Sequence, residues 1–134
     1  MRTVWKGGVA ALLLSTGCGG VPEARDLYGT MWANLDAGEW RVLSFEETRP
    51  ELPEWTDVYG IHQYVDGEAP VEIQYGRYQI TEETLFTSVH WNADGTPGGT
   101  YANAILDYSR NAMELSSETA SEGSRVFERV TSLP

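Results

Sequence analysis

The side chains able to do chemistry in this 134-residue sequence are few in kind: one cysteine, two histidines, twenty carboxylates and a dense set of aromatic rings. The cysteine is Cys18 and the histidines are His62 and His90. Neither histidine sits in HExxH and no second cysteine exists, so no zinc pattern is present. The stretch from His90 through Asp94 and Gly95 has the look of a calcium loop, but an EF-hand needs an acidic first ligand and a glutamate at the twelfth. His90 and Tyr101 hold those places, which excludes it. No G-x-S-x-G and no phosphate-cradling glycine loop occur, and neither histidine has a context that marks a catalytic triad. The adjacent pairs Glu46-Glu47 and Glu82-Glu83 fall where turns are expected and read as solvated charge. A glycosidase-like pair is spatial rather than sequential and stays open. The expectation is a protein that is not an enzyme and carries no metal or cofactor.

Cys18 has the clearest setting. Arg2 and Lys6 form a short basic start, Val9 to Leu14 is apolar, and Ser15, Thr16 and Gly17 are small. The apolar run is far shorter than the ~20 residues of a membrane-spanning helix. This is the layout of a secretory signal peptide. A lone thiol in an exported protein invites wrong disulfides, so an attachment role explains it better than chance. Leu14-Ser15-Thr16-Gly17-Cys18 resembles the lipobox of bacterial lipoproteins, with the leucine four residues before the cysteine where three is usual. The resemblance implies cleavage before Cys18 and acylation of its sulfur, often with acylation of the new amine. Each buried methylene contributes ~0.8 kcal/mol and one chain anchors only marginally, so two or three are needed. The expected organisation is a signal peptide over 1–17, a lipidated tether over 18–25 and one domain over 26–134. Gly19, rather than aspartate, follows the cysteine. By resemblance to enterobacterial sorting, that implies the outer membrane of the cell envelope.

The net charge is −11, and Lys6, inside the signal segment, is the only lysine. That leaves no lysine for a Schiff base or a P-loop. Nucleic acid is an unsuited partner, because affinity for it comes from neutralising phosphates. A basic patch for anionic headgroups is equally unsupported.

From Asp26 onward short apolar-polar alternations are separated by turn residues, which predicts an all-β fold. Strands are expected over 27–35, 39–45, 58–65, 71–80, 84–91 and 101–108, then around Met113 and Leu115, and over 125–131. Glu46 to Asp57, with Pro50 and Pro53, reads as a long loop, since proline cannot donate to a ladder. In the fourth strand Val71, Ile73 and Tyr75 alternate, then the apolar phase jumps to Tyr78 and Ile80, so a bulge is expected at Gly76-Arg77. Leu85, Val89 and Trp91 are expected on one face of the fifth strand. Ala102, Ala104, Leu106 and Tyr108 are expected on one inward face of the sixth. About eight strands with short turns predict an antiparallel up-and-down barrel.

Three stretches resemble the lipocalin-like group of small bacterial β-barrels: Asp26 to Trp32, Tyr78-Gln79-Ile80 followed by Thr84-Leu85, and Phe127 to Val130. Gly29 and Trp32 stand three apart where that family has two. On a regular strand this puts them on opposite faces, so either a bulge intervenes or the likeness is one of fold only. The resemblance implies a barrel with one open end that binds a small apolar molecule. The aromatic residues could fill such a barrel or line its cavity. The expected lining residues are Tyr75, Tyr78, Trp91, Leu106 and Tyr108. The alternative is a non-enzymatic interaction module that meets a protein partner through the acidic loop Glu46 to Asp57, with Glu46, Glu47, Glu51 and Glu54, and the open loop Gly95 to Thr100.

Overall fold

The computed structural model describes residues 20–36, 39–65, 68–116 and 123–133. The signal segment and Cys18 lie outside the described residues. Eight strands follow one short 3-10 turn, Ala24–Leu27. They are β1 (Thr30–Asp36), β2 (Glu39–Glu46), β3 (Val58–Val65), β4 (Val71–Thr81), β5 (Thr84–Asn92), β6 (Thr100–Tyr108), β7 (Ala112–Ser116) and β8 (Ser124–Val130). Each pairs antiparallel with the next, and β8 pairs back on β1 to close the barrel. Closure leaves no free sheet edge. Among the described residues, every ladder and both buried clusters lie within Ala24–Val130, so this stretch has what it needs to fold by itself.

Two-residue alternation sorts the side chains. Trp32, Leu43, Phe45, Tyr59, Tyr78, Leu85, Ile105, Met113 and Leu115 pack together inside with Leu27. Ala33, Val42 and Tyr64, on the alternate positions of β1, β2 and β3, make a smaller cluster with Met31 and Val130.

The barrel is closed at the end where the chain enters. There the 3-10 turn lies across the barrel and inserts Leu27, which is fully buried. The turn is set by a reciprocal cap: the Glu23 N–H donates to the Asp26 carboxylate at 2.9 Å, and the Asp26 N–H donates to the Glu23 carbonyl at 3.0 Å. The Tyr78 hydroxyl reaches up from the barrel and donates to the Ala24 carbonyl at 2.6 Å. The Thr30 hydroxyl donates to the Leu27 carbonyl at 2.6 Å, and the Trp32 indole N–H donates to the Thr30 hydroxyl at 2.9 Å. Trp32 is thereby fully buried with its one polar atom satisfied.

This end also resolves the glycine-tryptophan spacing. Gly29 is not in the strand. It turns the chain into β1 in a left-handed conformation, φ 76°, which glycine adopts without steric cost. Strand parity starts only at Thr30, so no bulge is needed between Gly29 and Trp32.

The phase jump of β4 is real but lies elsewhere. Opposite β3, the register steps from Ile61↔Gln74 to His62↔Glu72, so the extra residue is Ile73. Opposite β5 it steps from Tyr75↔Trp91 to Gly76↔Val89, so the extra residue is His90. Gln74 therefore faces inward and Tyr75 outward, and Trp91 leaves the face of Leu85 and Val89. In β6 the inward side chains are Asn103 and Ile105, not Ala102 and Ala104. A register shift between Ile105 and Asp107 leaves Leu106 outside, 54 % exposed, and returns Tyr108 to the interior.

Candidate functional site

A barrel plugged at one end can be entered only from the other. Among the described residues the uncovered end is the one where β1 meets β2, β3 meets β4, β5 meets β6 and β7 meets β8. A cavity of about 300 Å³ opens there, at the lower end of the ~300–1,000 Å³ of small-molecule sites. Its floor and walls are Leu43, Ile61, Leu85, Leu115 and Phe127, with the ring of Tyr59. Toward the mouth the lining turns polar: Asn34, Arg41, Thr87, Asn103, Ser116 and Arg125.

Asn34, Arg41, Thr87 and Asn103 share the inward parity of Trp32, Leu43, Leu85 and Ile105, and Arg125 takes the first inward position of β8. Arg41 is the cross-strand partner of Asn34. The Asn34 side-chain amide donates to the Val126 carbonyl at 2.9 Å, next to Arg125. Arg125 is opposite Leu115, beside Ser116. The Asn103 amide donates to the Ser116 carbonyl at 2.7 Å, and the Ser116 hydroxyl accepts the Ala104 N–H at 2.8 Å. Arg41, Asn34, Arg125, Ser116 and Asn103 thus form an arc across five successive strands, β2, β1, β8, β7 and β6.

A second polar line leaves the cavity on the other side. The Tyr59 hydroxyl donates to Gln74 Oε1 at 2.8 Å. Gln74 Nε2 donates to Asn92 Oδ1 at 3.0 Å. Asn92 Nδ2 then reaches the Thr96 and Pro97 carbonyls, each at 3.4 Å. Burial pushes the Tyr59 hydroxyl well above its ordinary pKa, so it is a neutral donor at physiological pH.

None of Tyr75, Tyr78, Trp91, Leu106 and Tyr108 lines this cavity. Tyr78 and Tyr108 belong to the plugged end, where Tyr78 meets Phe45 edge-on at 4.8 Å and Tyr108 meets Trp32 at 6.0 Å. Tyr75 and Trp91 stack on each other outside the barrel at 5.3 Å. There they join a row of rings: Tyr75 stacks on His90 at 5.9 Å, and His90 meets Trp55 edge-on at 5.5 Å. Arg49 lies over Tyr75 at 4.2 Å and Arg77 over Trp55 at 4.4 Å. The row fastens the loop of residues 47–57 to the barrel wall. Arg49 also binds Glu72 at 2.7 Å and Glu51 at 3.0 Å. Glu51 is thus engaged within the chain, while Glu46, Glu47 and Glu54 are exposed.

His62 shares the outer face of β3 with Val58 and Tyr64, half-buried, and its Nδ1 is buried without a hydrogen-bond partner among the described residues. His90 belongs to the aromatic row. Among the described residues, no group of three or more histidine, cysteine or carboxylate side chains could hold a metal ion.

The signal that the expected lining missed is the pair of bulges. Once Ile73 and His90 are counted as extra residues, the inward set of β4 and β5 follows from simple alternation. The closed eight-stranded antiparallel architecture is consistent with a calycin-like barrel. No protein-family profile, curated protein or solved structure matches this chain.

Proposed function

We propose that this protein is a lipid-anchored barrel of the lipocalin-like kind, held in the cell envelope through Cys18, that carries a small, mainly apolar molecule in its open end. The observation that carries the reading is the cavity itself: an apolar floor beneath a polar mouth, in a barrel whose other end is sealed by Leu27 and Trp32. A solid core would have served a purely structural barrel equally well. The anchor is supported by the sequence around Cys18, and the outer membrane by Gly19 after it.

Native mass spectrometry of the domain from Gly19 onward, prepared from its own envelope extract, tests the carrier reading. A small molecule that is released on denaturation supports it and gives the cargo. A bare mass, together with failure to take up an apolar fluorescent probe, overturns it. Labelling with radioactive palmitate tests the anchor separately. Label that Cys18→Ser abolishes, with release from the membrane fraction, is the expected result.

A further inference from the structure

Two apolar side chains face the barrel interior and are nevertheless open to solvent. Tyr101 is the cross-strand partner of Thr87, which lines the cavity, and it shares the inward parity of Asn103. Val71 is the partner of Gln63 and stands one inward position beyond Gln74, because Ile73 is the extra residue between them. Val71 is 56 % exposed and Tyr101 44 % exposed. The other exposed strand residues of this kind among those described, Trp91, Leu106 and Val126, lie on the outer wall. A lone apolar residue on an outer wall is ordinary. Val71 and Tyr101 differ because they stand on β4 and β6, either side of β5, on the mouth side of the apolar wall of Ile61 and Leu85. The Tyr101 ring turns toward the loop before β6, with its hydroxyl end 4.0 Å from the place of a Cβ on Gly99. The two side chains extend the apolar cavity outward as an open lip.

From this arrangement we infer that the cargo is an elongated apolar chain, longer than the cavity, whose outer part leaves the mouth across Val71 and Tyr101. The inference rests on the carrier reading above and adds the shape and length of the cargo. The cavity measures about 300 Å³. With water, and a methylene similarly, occupying about 30 Å³, it holds roughly ten chain carbons. A compact molecule of that size would be taken in whole and leave the lip wet. A longer chain covers both side chains and gains the burial of their apolar surface. Tyrosine suits such a place, since its ring packs on the chain while its hydroxyl stays in water.

The test is binding of straight-chain primary alcohols of eight, ten, twelve and fourteen carbons to the domain from Gly19 onward, each below its solubility limit. Displacement of the neutral fluorophore N-phenyl-1-naphthylamine reads the affinity, and adamantanol, ten carbons in compact form, is the control for shape. In the unaltered domain affinity should rise about fourfold per methylene up to ten carbons, the effect of burying one CH₂. Beyond ten it should go on rising about twofold per methylene, as half-covered carbons do. In Val71→Ser and in Tyr101→Ser the rise beyond ten carbons should be lost, while octanol and adamantanol bind as before. Both side chains are exposed, so neither variant opens a hole in the core. A plateau at ten carbons in the unaltered domain, or an undiminished rise in both variants, overturns the lip and leaves the carrier reading standing. Equal weakening of adamantanol in the variants does the same, since it places the two side chains within the cavity proper. Binding of none of the probes, the fluorophore included, overturns both.

Discussion

Tyr28 donates its hydroxyl hydrogen bond to the Asp57 carboxylate, tying the turn that plugs the barrel to the end of the long loop before β3. Asp57 is a junction in other ways. Its N–H donates to the Glu47 carbonyl at 3.0 Å, and its carbonyl accepts the Tyr78 N–H at 2.9 Å. Its backbone is left-handed, φ 62°, which aspartate and asparagine tolerate better than most residues. Asp57→Ala should therefore lose a charge-assisted hydrogen bond and gain backbone strain, together about 2–3 kcal/mol. Asp57→Asn keeps an acceptor and the tolerance, and should cost about half as much. Thermal unfolding of the two variants checks the order. If they melt alike, the backbone tolerance contributes nothing measurable and loss of the carboxylate alone accounts for the effect.

The same contact makes an alkaline prediction. The hydrogen bond to Asp57, then burial, pushes the Tyr28 hydroxyl from 10 up to about 12. Tyr59 and Tyr78 are also pushed upward, first by burial. In the unfolded chain a tyrosine ionises near 10. Between pH 10 and about 12 the unfolded state therefore binds fewer protons than the native state, and stability falls as pH rises. Below pH 10 this contribution is fully present. Melting temperature should drop across that window, together with the rise in tyrosinate absorbance. Tyr28→Phe should show a shallower drop from a lower starting stability.

Two glycines of the barrel wall should answer differently to alanine. A Cβ on Gly76 would lie 2.0 Å from the Ser88 carbonyl oxygen, a backbone atom of the paired strand that cannot step aside. Gly76→Ala should cost about 3 kcal/mol or more and lower the melting temperature by about 10 °C or more. A Cβ on Gly60 would meet Glu72 Oε2 at 2.6 Å and Arg49 Nη1 at 2.9 Å, the ends of flexible side chains. Gly60→Ala should leave the barrel intact and dislodge Arg49 from its seat on β3. Thermal melts separate the two, and a loss of Trp55 shielding from acrylamide in Gly60→Ala alone confirms the second.

The barrel was legible in the sequence because most strands are short, alternate cleanly and are bounded by turn residues. Val58–Val65 is found where its alternation puts it. The site was not legible, and the reason is specific. One extra residue inverts every face beyond it, and β4 and β5 each contain one. The phase jump around Gly76 gave notice of a bulge, but alternation cannot say which residue is extra, because Ile73 fits the apolar alternation of Val71 and Tyr75. Placing the bulge there rather than at Gly76-Arg77 moves Tyr75 outside and Gln74 inside. The mouth was hidden for another reason: Arg41 and Arg125 look like solvent-facing charges in sequence, and only closure of β8 on β1 brings them to one cavity. At the plug, Leu27 read as the first residue of a strand. The reciprocal cap between Glu23 and Asp26 makes it the last residue of a 3-10 turn instead.

The loop of residues 47–57 should behave as a strap that opens without the barrel unfolding. Its hold on the wall is concentrated in Arg49, whose side chain is only 10 % exposed and spans Glu72, Glu51 and the Tyr75 ring. Burial pulls the guanidinium pKa down, but the hydrogen bonds to Glu72 and Glu51 outweigh it and hold the group above its ordinary value. Two short turns, Leu52 N–H to the Arg49 carbonyl at 3.0 Å and Trp55 N–H to the Leu52 carbonyl at 3.1 Å, carry that anchor to Trp55 and to Leu52, which is buried against the wall. Arg49→Ala removes the charge that Glu72 was placed to meet, and should cost about 1–3 kcal/mol. Arg49→Lys should rescue little, since an ammonium cannot serve two carboxylates and cover a ring at once. In hydrogen exchange, residues 47–57 should lose protection in Arg49→Ala while the strand ladders keep theirs. Equal loss throughout the barrel would show the segment to be part of the cooperative core rather than a strap upon it.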